Sequence, residues 1–452
     1  MPEKEHVSLK RALGLGYTTF FGIGLILGAG IYVLVGRAAA FAGDAIWISV
    51  LFATLIAIMT GLSYAELASM YPFASSTHRY VEEAFPKYKL LAFVAGWLII
   101  FEGISGAATA GIGFSRYFVA LLGWDPHLIP WITIVLIVLL SILNWYGIEE
   151  SALLTLIFTF VEAGGLILII LLGFLFGPEK PNYFSVPSGF DPLMGIMLGA
   201  AVFYFAFTGF ELQPTLSEET KDPKRIMPKA IILALLACSA LYLLVSLAVV
   251  RLLPWTKLAE SHAPLADAAK IAWGESYYLL MGIALFSTTN TVLGFLVSSS
   301  RLMYGLAEEG ILYRNLARID PRRRTPYVSV ILSGLISILV VLITLYFPMV
   351  TGWKLMVGGV EYKLIDLVGK TSSLACLLAF IIVNIAVIVL RFTKPDVERA
   401  FRVPLSIGRF PIMPLIAAGL TVLFIITSFL DWIIWITTLI VVLIGLILYI
   451  AK

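Results

Sequence analysis

Two stretches decide the fold: Gly28-Ala29-Gly30-Ile31-Tyr32, inside the apolar run Tyr17 to Phe41, and Phe207-Thr208-Gly209-Phe210-Glu211, inside the run Pro192 to Leu216. Each places glycine at the centre of a segment long enough to cross a bilayer. Glycine costs about 1 kcal/mol against alanine inside a helix, so each stretch predicts a helix that unwinds at mid-depth. The two stretches lie about 180 residues apart and occupy corresponding places in two halves of the chain. Paired interruptions of this kind point to a midplane site where an unwound turn exposes amides and carbonyls to a small zwitterion. The alternative is that the glycines only let helices pack closely, as small residues do in membranes.

Composition agrees with a membrane setting. Hydrophobic residues make up 60% of the 452, charged residues 13%, and mean hydropathy is +0.98. Soluble domains carry about 25% charge. The net charge of +3, with no basic arm, argues against nucleic acid. Cys238 and Cys376 sit in apolar runs and read as core residues, with neither a disulfide framework nor a metal site. The N-terminus is polar through Arg11 and shows no cleavage pattern, so the first span is expected to serve as an uncleaved insertion signal.

Twelve spans are expected, at 17–41, 45–69, 90–119, 128–145, 151–176, 192–216, 229–251, 276–305, 327–347, 364–390, 410–429 and 432–450. With the N-terminus inside, 22 of the 31 Lys and Arg fall on the inner side and 8 on the outer. The positive-inside rule therefore puts both termini in the cytoplasm. Four spans separate the two broken ones, which makes a five-span unit natural. Five is odd, so the second copy enters from the opposite side. The expected domain is single, 1–452, with one repeat over 1–178 (spans 1–5), an inverted second over 190–395 (spans 6–10), and two appended spans over 405–452. The longest outer loop, Leu252 to Glu275, carries an amphipathic stretch from Leu265 to Trp273.

Four motifs in order on these spans resemble the amino acid–polyamine–organocation transporter superfamily. They are Gly28 to Tyr32 in span 1; Tyr64-Ala65-Glu66-Leu67 with Tyr71-Pro72 at the end of span 2; Phe205 to Glu211 in span 6, followed by Glu218 to Pro223 and Pro228; and Asn290-Thr291 with Ser300 to Gly305 in span 8. The resemblance runs from about Leu9 to Leu390. The run at 28–36 looks most like the cationic amino acid transporter branch, which often has fourteen spans in animals. It implies an all-α polytopic protein with the five-plus-five inverted-repeat (LeuT-type) fold, and alternating-access transport. The sequence departs from the family's pattern after Tyr71-Pro72. A small residue, a glycine pair and an aromatic are usual there, whereas this chain reads Phe73-Ala74-Ser75-Ser76-Thr77-His78-Arg79-Tyr80. That places the inner gate, rather than the substrate site, in question.

At the first break, the amides of Gly28, Ala29 and Gly30 face a carboxylate from a helix N-terminus, where the dipole is positive. Around Phe207, Thr208 and Gly209, carbonyls can accept from an ammonium. The resemblance assigns the same breaks to the same two groups. Ile23, Ile26 and Ile31 of span 1, Ser105 and Ala108 of span 3, and Phe207 and Phe210 of span 6 are candidates to shape the pocket, with ordinary packing as the alternative.

Charge within a membrane costs at least about 2.5–3.5 kcal/mol, so buried acids are functional candidates. Glu162, near the middle of span 5, is suited to carrying a proton, with Ser287, Thr288, Thr289, Asn290 and Thr291 of span 8 as partners. A sodium site and a purely structural carboxyl are the alternatives. Glu211 can attract a cationic side chain or tether the break. Glu102 can pair with a cationic substrate or satisfy a neighbour. Glu66 belongs to a gate or to an ion pair with an inner-loop arginine, and Glu218-Glu219 can lock the inner side to Arg or Lys.

The expectation is a secondary amino acid transporter in the plasma membrane, with a proton as coupling ion, no cofactor and no catalytic residues. Exchange of one amino acid for another, or for an amine, is the alternative. No Gly-x-x-x-x-Gly-Lys-Ser/Thr loop supports ATP-driven transport. An enzyme would need a nucleophile and base, which are not apparent, and a sensor would need an attached domain. Oligomeric state and the identity of the amino acid are not encoded in any motif.

Overall fold

The computed structural model describes residues 8–261, 263–274, 276–357 and 360–451. Lys4 and Lys452, counted for orientation, and the side chain of Ala29 lie outside them. Among the described residues the regular structure is helical apart from two antiparallel pairs, Leu355–Val357 with Val360–Tyr362 and Ser406–Ile407 with Phe410–Pro411, and one parallel bridge, Leu13 with Thr220.

Among the described residues, helical segments lie at each of the twelve expected positions, with ends that differ by up to about six residues. Helices 1 to 5 are Leu15–Ala42, Ile46–Met70, Lys89–Leu122, Ile129–Tyr146 and Ile148–Phe176. Helix 6 begins as Pro192–Tyr204. Helices 7 and 8 are Pro223–Leu252 and Ser276–Glu308. Helix 9 starts at Tyr327–Val341 and passes through a π turn, Leu342–Tyr346, to Thr351. Helices 10 to 12 are Leu364–Thr393, Ile412–Ser428 and Trp432–Ile450. Among the described residues, eleven helical stretches are long and apolar enough to cross a membrane. Helix 11 is apolar but has only 17 residues. At about 1.5 Å per residue it falls short of a ~30 Å hydrocarbon core.

Local chemistry sets the ends. Asp191 caps helix 6 by accepting from the amides of Leu193 and Met194, with Pro192 in the first turn. Gly123 closes helix 3 in the left-handed conformation. Helix 1 packs against helices 5, 6, 7 and 8, and helix 3 against helices 8 and 10. Helices 4, 5, 9 and 12 show large apolar side chains outward, among them Leu139, Leu175, Ile343 and Ile447. Such a periphery suits lipid, which has no affinity for polar backbone.

Both expected breaks are present. Helix 1 leaves helical geometry at Gly28 (φ 15°, ψ −174°). Helix 6 tightens to a 3-10 turn at Phe205–Phe207, extends at Thr208 and turns left-handed at Gly209 (φ +118°). It then resumes as a ten-residue 3-10 helix, Phe210–Glu219.

Candidate functional site

The two breaks lie against each other. A Cβ built on Gly30 would stand 3.1 Å from Ala206 Cα, and one on Gly209 would stand 2.7 Å from the Leu25 carbonyl oxygen. A side chain at Gly30 would be tight and one at Gly209 would clash with backbone, and at Gly209 only glycine readily takes the backbone angle. Tyr242 of helix 7 joins the breaks. Its buried hydroxyl lies 2.7 Å from the Ile26 carbonyl, 3.3 Å from that of Leu27 and 3.0 Å from that of Ala206. Sequence reasoning missed this residue, because the motif at the start of its helix, Pro223 and Pro228, does not extend to it.

A cavity of about 750 Å³ opens from the breaks. Its inner wall holds Ile26, Gly28, Gly30, Ala206, Thr208 and Thr291. Glu102, Gly106 and Thr109 of helix 3 face it, with Phe205, Phe295 and Phe429 as aromatic walls. Arg37, Arg116, Lys370 and Asp366 stand at its mouth. That mouth lies at the C-terminal ends of helices 1 and 3 and the N-terminal end of helix 10, away from the side that carries the amino-terminal arm.

Several expected pocket residues lie off this cavity. The Phe207 ring packs on Tyr242, with centroids 5.1 Å apart, and Phe210 stacks on Phe380 at 5.2 Å. Phe205 takes the aromatic place instead. Helical periodicity does not carry through the 3-10 turn at Phe205–Phe207 or the left-handed turn at Gly209, so it cannot tell which rings face inward. Ser105 donates to the Phe101 carbonyl of its own helix, 2.6 Å away. Ile23, Ile31 and Ala108 are buried in the surrounding core. Gly209 meets Glu211 rather than the cavity, its amide donating to the carboxylate at 2.7 Å.

Glu162 is fully buried between helices 5 and 8. Ser287 donates to its Oε1, and its Oε2 has no hydrogen-bond partner among the described residues. Asn290 Nδ2 donates to Thr159 Oγ1 at 3.0 Å, one turn away. Thr288 turns back to the Ala284 carbonyl of its own helix at 2.8 Å.

The opposite side of the site is shut by ion pairs. Arg301 and Glu219, both fully buried, form a two-pronged pair at 3.0 and 3.1 Å, and Asn144 also accepts from Arg301. Glu66 sits between Arg391 at 2.6 Å and Arg399 at 3.1 Å. The desolvated Arg399, beside Arg391, has its pKa lowered by burial despite the nearby Glu66. Glu218 accepts from the Ala74 amide at 2.9 Å. The amino-terminal arm closes over the end of helix 6, with the Leu13 amide 2.9 Å from the Glu219 carbonyl and the Lys221 amide 2.8 Å from the Leu13 carbonyl.

On the same side, a short helix, Ser76–Ala84, occupies the stretch that departs from the family pattern. Ser76 adopts φ +30°, a conformation that favours glycine. His78 Nδ1 lies 3.1 Å from Glu309 Oε2, and Ser75 donates to Glu309 Oε1 at 2.7 Å. Two groups of ligand-type side chains occur among the described residues: His78, Glu82 and Glu309, and Glu102, Glu211 and Cys376. The first is engaged with Arg79 and Ser75. An apolar groove of about 480 Å³ between helices 4 and 9, lined by Ile142, Ile331 and Leu335, is remote from both breaks.

Comparison with known proteins identifies the family. A family model described as amino acid permease matches residues 13–450. The branched-chain amino acid permease of Bacillus subtilis is 30% identical, over 98% of this chain and 93% of its own length. A methylthioribose transporter of the same organism is 29% identical, over 95% and 92%. A vacuolar cationic amino acid transporter of Arabidopsis thaliana is 30% identical, over 83% of this chain and 62% of that protein. A match of this extent places the chain in the amino acid permease family, which is one of membrane transporters rather than enzymes.

Proposed function

We propose that this permease carries α-amino acids with neutral or cationic side chains into the cell by proton symport across the plasma membrane, through alternating access. The observation that carries the reading is the single cavity reached by both helix breaks. Amides at Gly28–Gly30 suit a carboxylate and carbonyls near Ala206–Thr208 suit an ammonium, so one zwitterion can span them. Ile26, Phe205 and Phe429 suit an apolar side chain, and Glu102 suits a cationic one. The relatives named for branched-chain and cationic amino acids support this range. The open mouth on one side and the buried ion pairs on the other correspond to one end-state of such a cycle.

Spans 1–5 and 6–10 are taken as inverted repeats, with both termini cytoplasmic, on the strength of the matched breaks and the excess of inner Lys and Arg. Glu162 is assigned the transported proton because it is buried and, among the described residues, has no cationic partner and keeps one oxygen without a donor. The test is uptake of labelled leucine and lysine by proteoliposomes. Accumulation driven by an inward proton gradient supports symport. Uptake that ignores the gradient and needs internal amino acid identifies an exchanger, and dependence on sodium replaces the proton.

A further inference from the structure

We propose that Glu102 and Glu211 share one proton, held on Glu102 while the cavity contains a neutral side chain, and that a cationic side chain binds by displacing it. This rests on the amino acid reading above and concerns a proton other than that of Glu162.

Glu102 of helix 3 borders the cavity, and Glu211 lies two residues beyond the left-handed turn of helix 6. Oxygens of the two carboxyls and Cys376 Sγ all lie within 4.8 Å of one another. Both acids are buried, at 4% and 0% exposure. Glu211 Oε1 accepts the Gly209 amide, whereas Oε2 of each acid is buried with no hydrogen-bond donor. Cys376 from helix 10 lies beside the pair, and the buried Tyr64 of helix 2 and Tyr204 of helix 6 are near enough to interact with its charge. Among the described residues neither acid forms an ion pair, and the basic residues on the cavity wall are Arg37, Arg116 and Lys370 at its mouth.

Two carboxyls this close and away from water do not both carry charge. Each acid has one buried oxygen without a donor, and a hydrogen on either carboxyl turns that acid into a donor to the other. The Gly209 amide favours charge on Glu211, so the hydrogen belongs to Glu102, the member that borders the cavity. A leucine side chain leaves it in place. A lysine ammonium brings its own charge and donors. Glu102 then ionises, its proton leaves to water through the open mouth, and the ammonium lies against two carboxylates. The floor carries the same net charge with a neutral side chain and a proton as with a cationic side chain and none. One conformational cycle thus meets one electrical load for both substrate classes.

The test is calorimetry of L-leucine and L-lysine binding to the full-length protein in nanodiscs at neutral pH, in two buffers of different ionisation enthalpy. The expected result is about one more proton released per lysine than per leucine, and Glu102→Gln abolishes that difference. In the unmodified protein, the part of the protonated-carboxyl infrared band that Glu102→Gln removes is expected to fade with lysine and persist with leucine. The proposal is overturned if lysine binds with the same proton count as leucine, if the part of the band that Glu102→Gln removes survives lysine, or if lysine fails to displace labelled leucine. Failure of leucine itself to bind would instead overturn the amino acid reading.

Discussion

Replacing Gly209 by alanine tests whether the breaks, rather than glycine packing in general, make the site. The left-handed φ of +118° costs a non-glycine residue about 1–3 kcal/mol. The new Cβ would also meet the Leu25 carbonyl oxygen at 2.7 Å and its carbon at 2.9 Å. These are backbone atoms of helix 1, which cannot rotate aside, and overpacking of this kind costs about 1–3 kcal/mol more. The sum, about 2–6 kcal/mol, falls on the contact between the two breaks. If even about 2 kcal/mol is taken from substrate binding, affinity drops about 30-fold. Gly164→Ala is the control, because a Cβ there, in helix 5, meets nothing within 4 Å. It is expected to be neutral or stabilising by up to about 1 kcal/mol. The assay is saturation binding of labelled substrate to purified protein, with thermal unfolding alongside. Affinity and stability of Gly209→Ala equal to those of Gly164→Ala would refute the reasoning.

Four further outcomes are expected. Arg301→Met leaves the buried Glu219 carboxylate unpaired and lowers stability by about 3–5 kcal/mol, while the double change with Glu219→Met recovers most of the loss in detergent unfolding. Tyr242→Phe removes the donor shared by both breaks, costing about 1–3 kcal/mol, read as weaker substrate binding. Glu162→Gln eliminates gradient-driven accumulation but preserves counterflow, and intact accumulation would remove the coupling role. Burial pushes Glu309 up, but the His78 and Ser75 hydrogen bonds and the His78 and Arg79 charges outweigh it and hold the carboxyl below its ordinary range. Its stabilising contribution is therefore present above about pH 4.3 and is lost as pH falls through the lower folded value. Thermal unfolding between about pH 6 and 3 should show this loss, and Glu309→Gln should reduce it.

The breaks were legible in the sequence because glycine and depth in an apolar run are local properties. Helix positions were legible for the same reason, although helix 11 is shorter than the span expected at 410–429. An inner-loop arginine for Glu66 was also legible from charge and depth. Its second partner, Arg391, comes from within helix 10. What did not follow was orientation at the unwound turn. Phe205 and Phe207 differ by two residues, yet one lines the cavity and the other packs on Tyr242. Nor did long-range pairing follow. Glu102 and Glu211 are far apart in the chain, and only the folded arrangement brings their carboxyls together.

The 3-10 form of Phe210–Glu219 has a consequence for reach. Ten residues at about 2.0 Å each extend about 20 Å, against about 15 Å as α-helix. The stretched form lets a short segment run from mid-depth to the buried arginine at the far side. Winding those residues into an α-helix would retract the Glu219 end by about 5 Å, more than the span of its bonds to Arg301. The coil of this one segment is thus a ruler, and its pitch decides whether the far side stays latched.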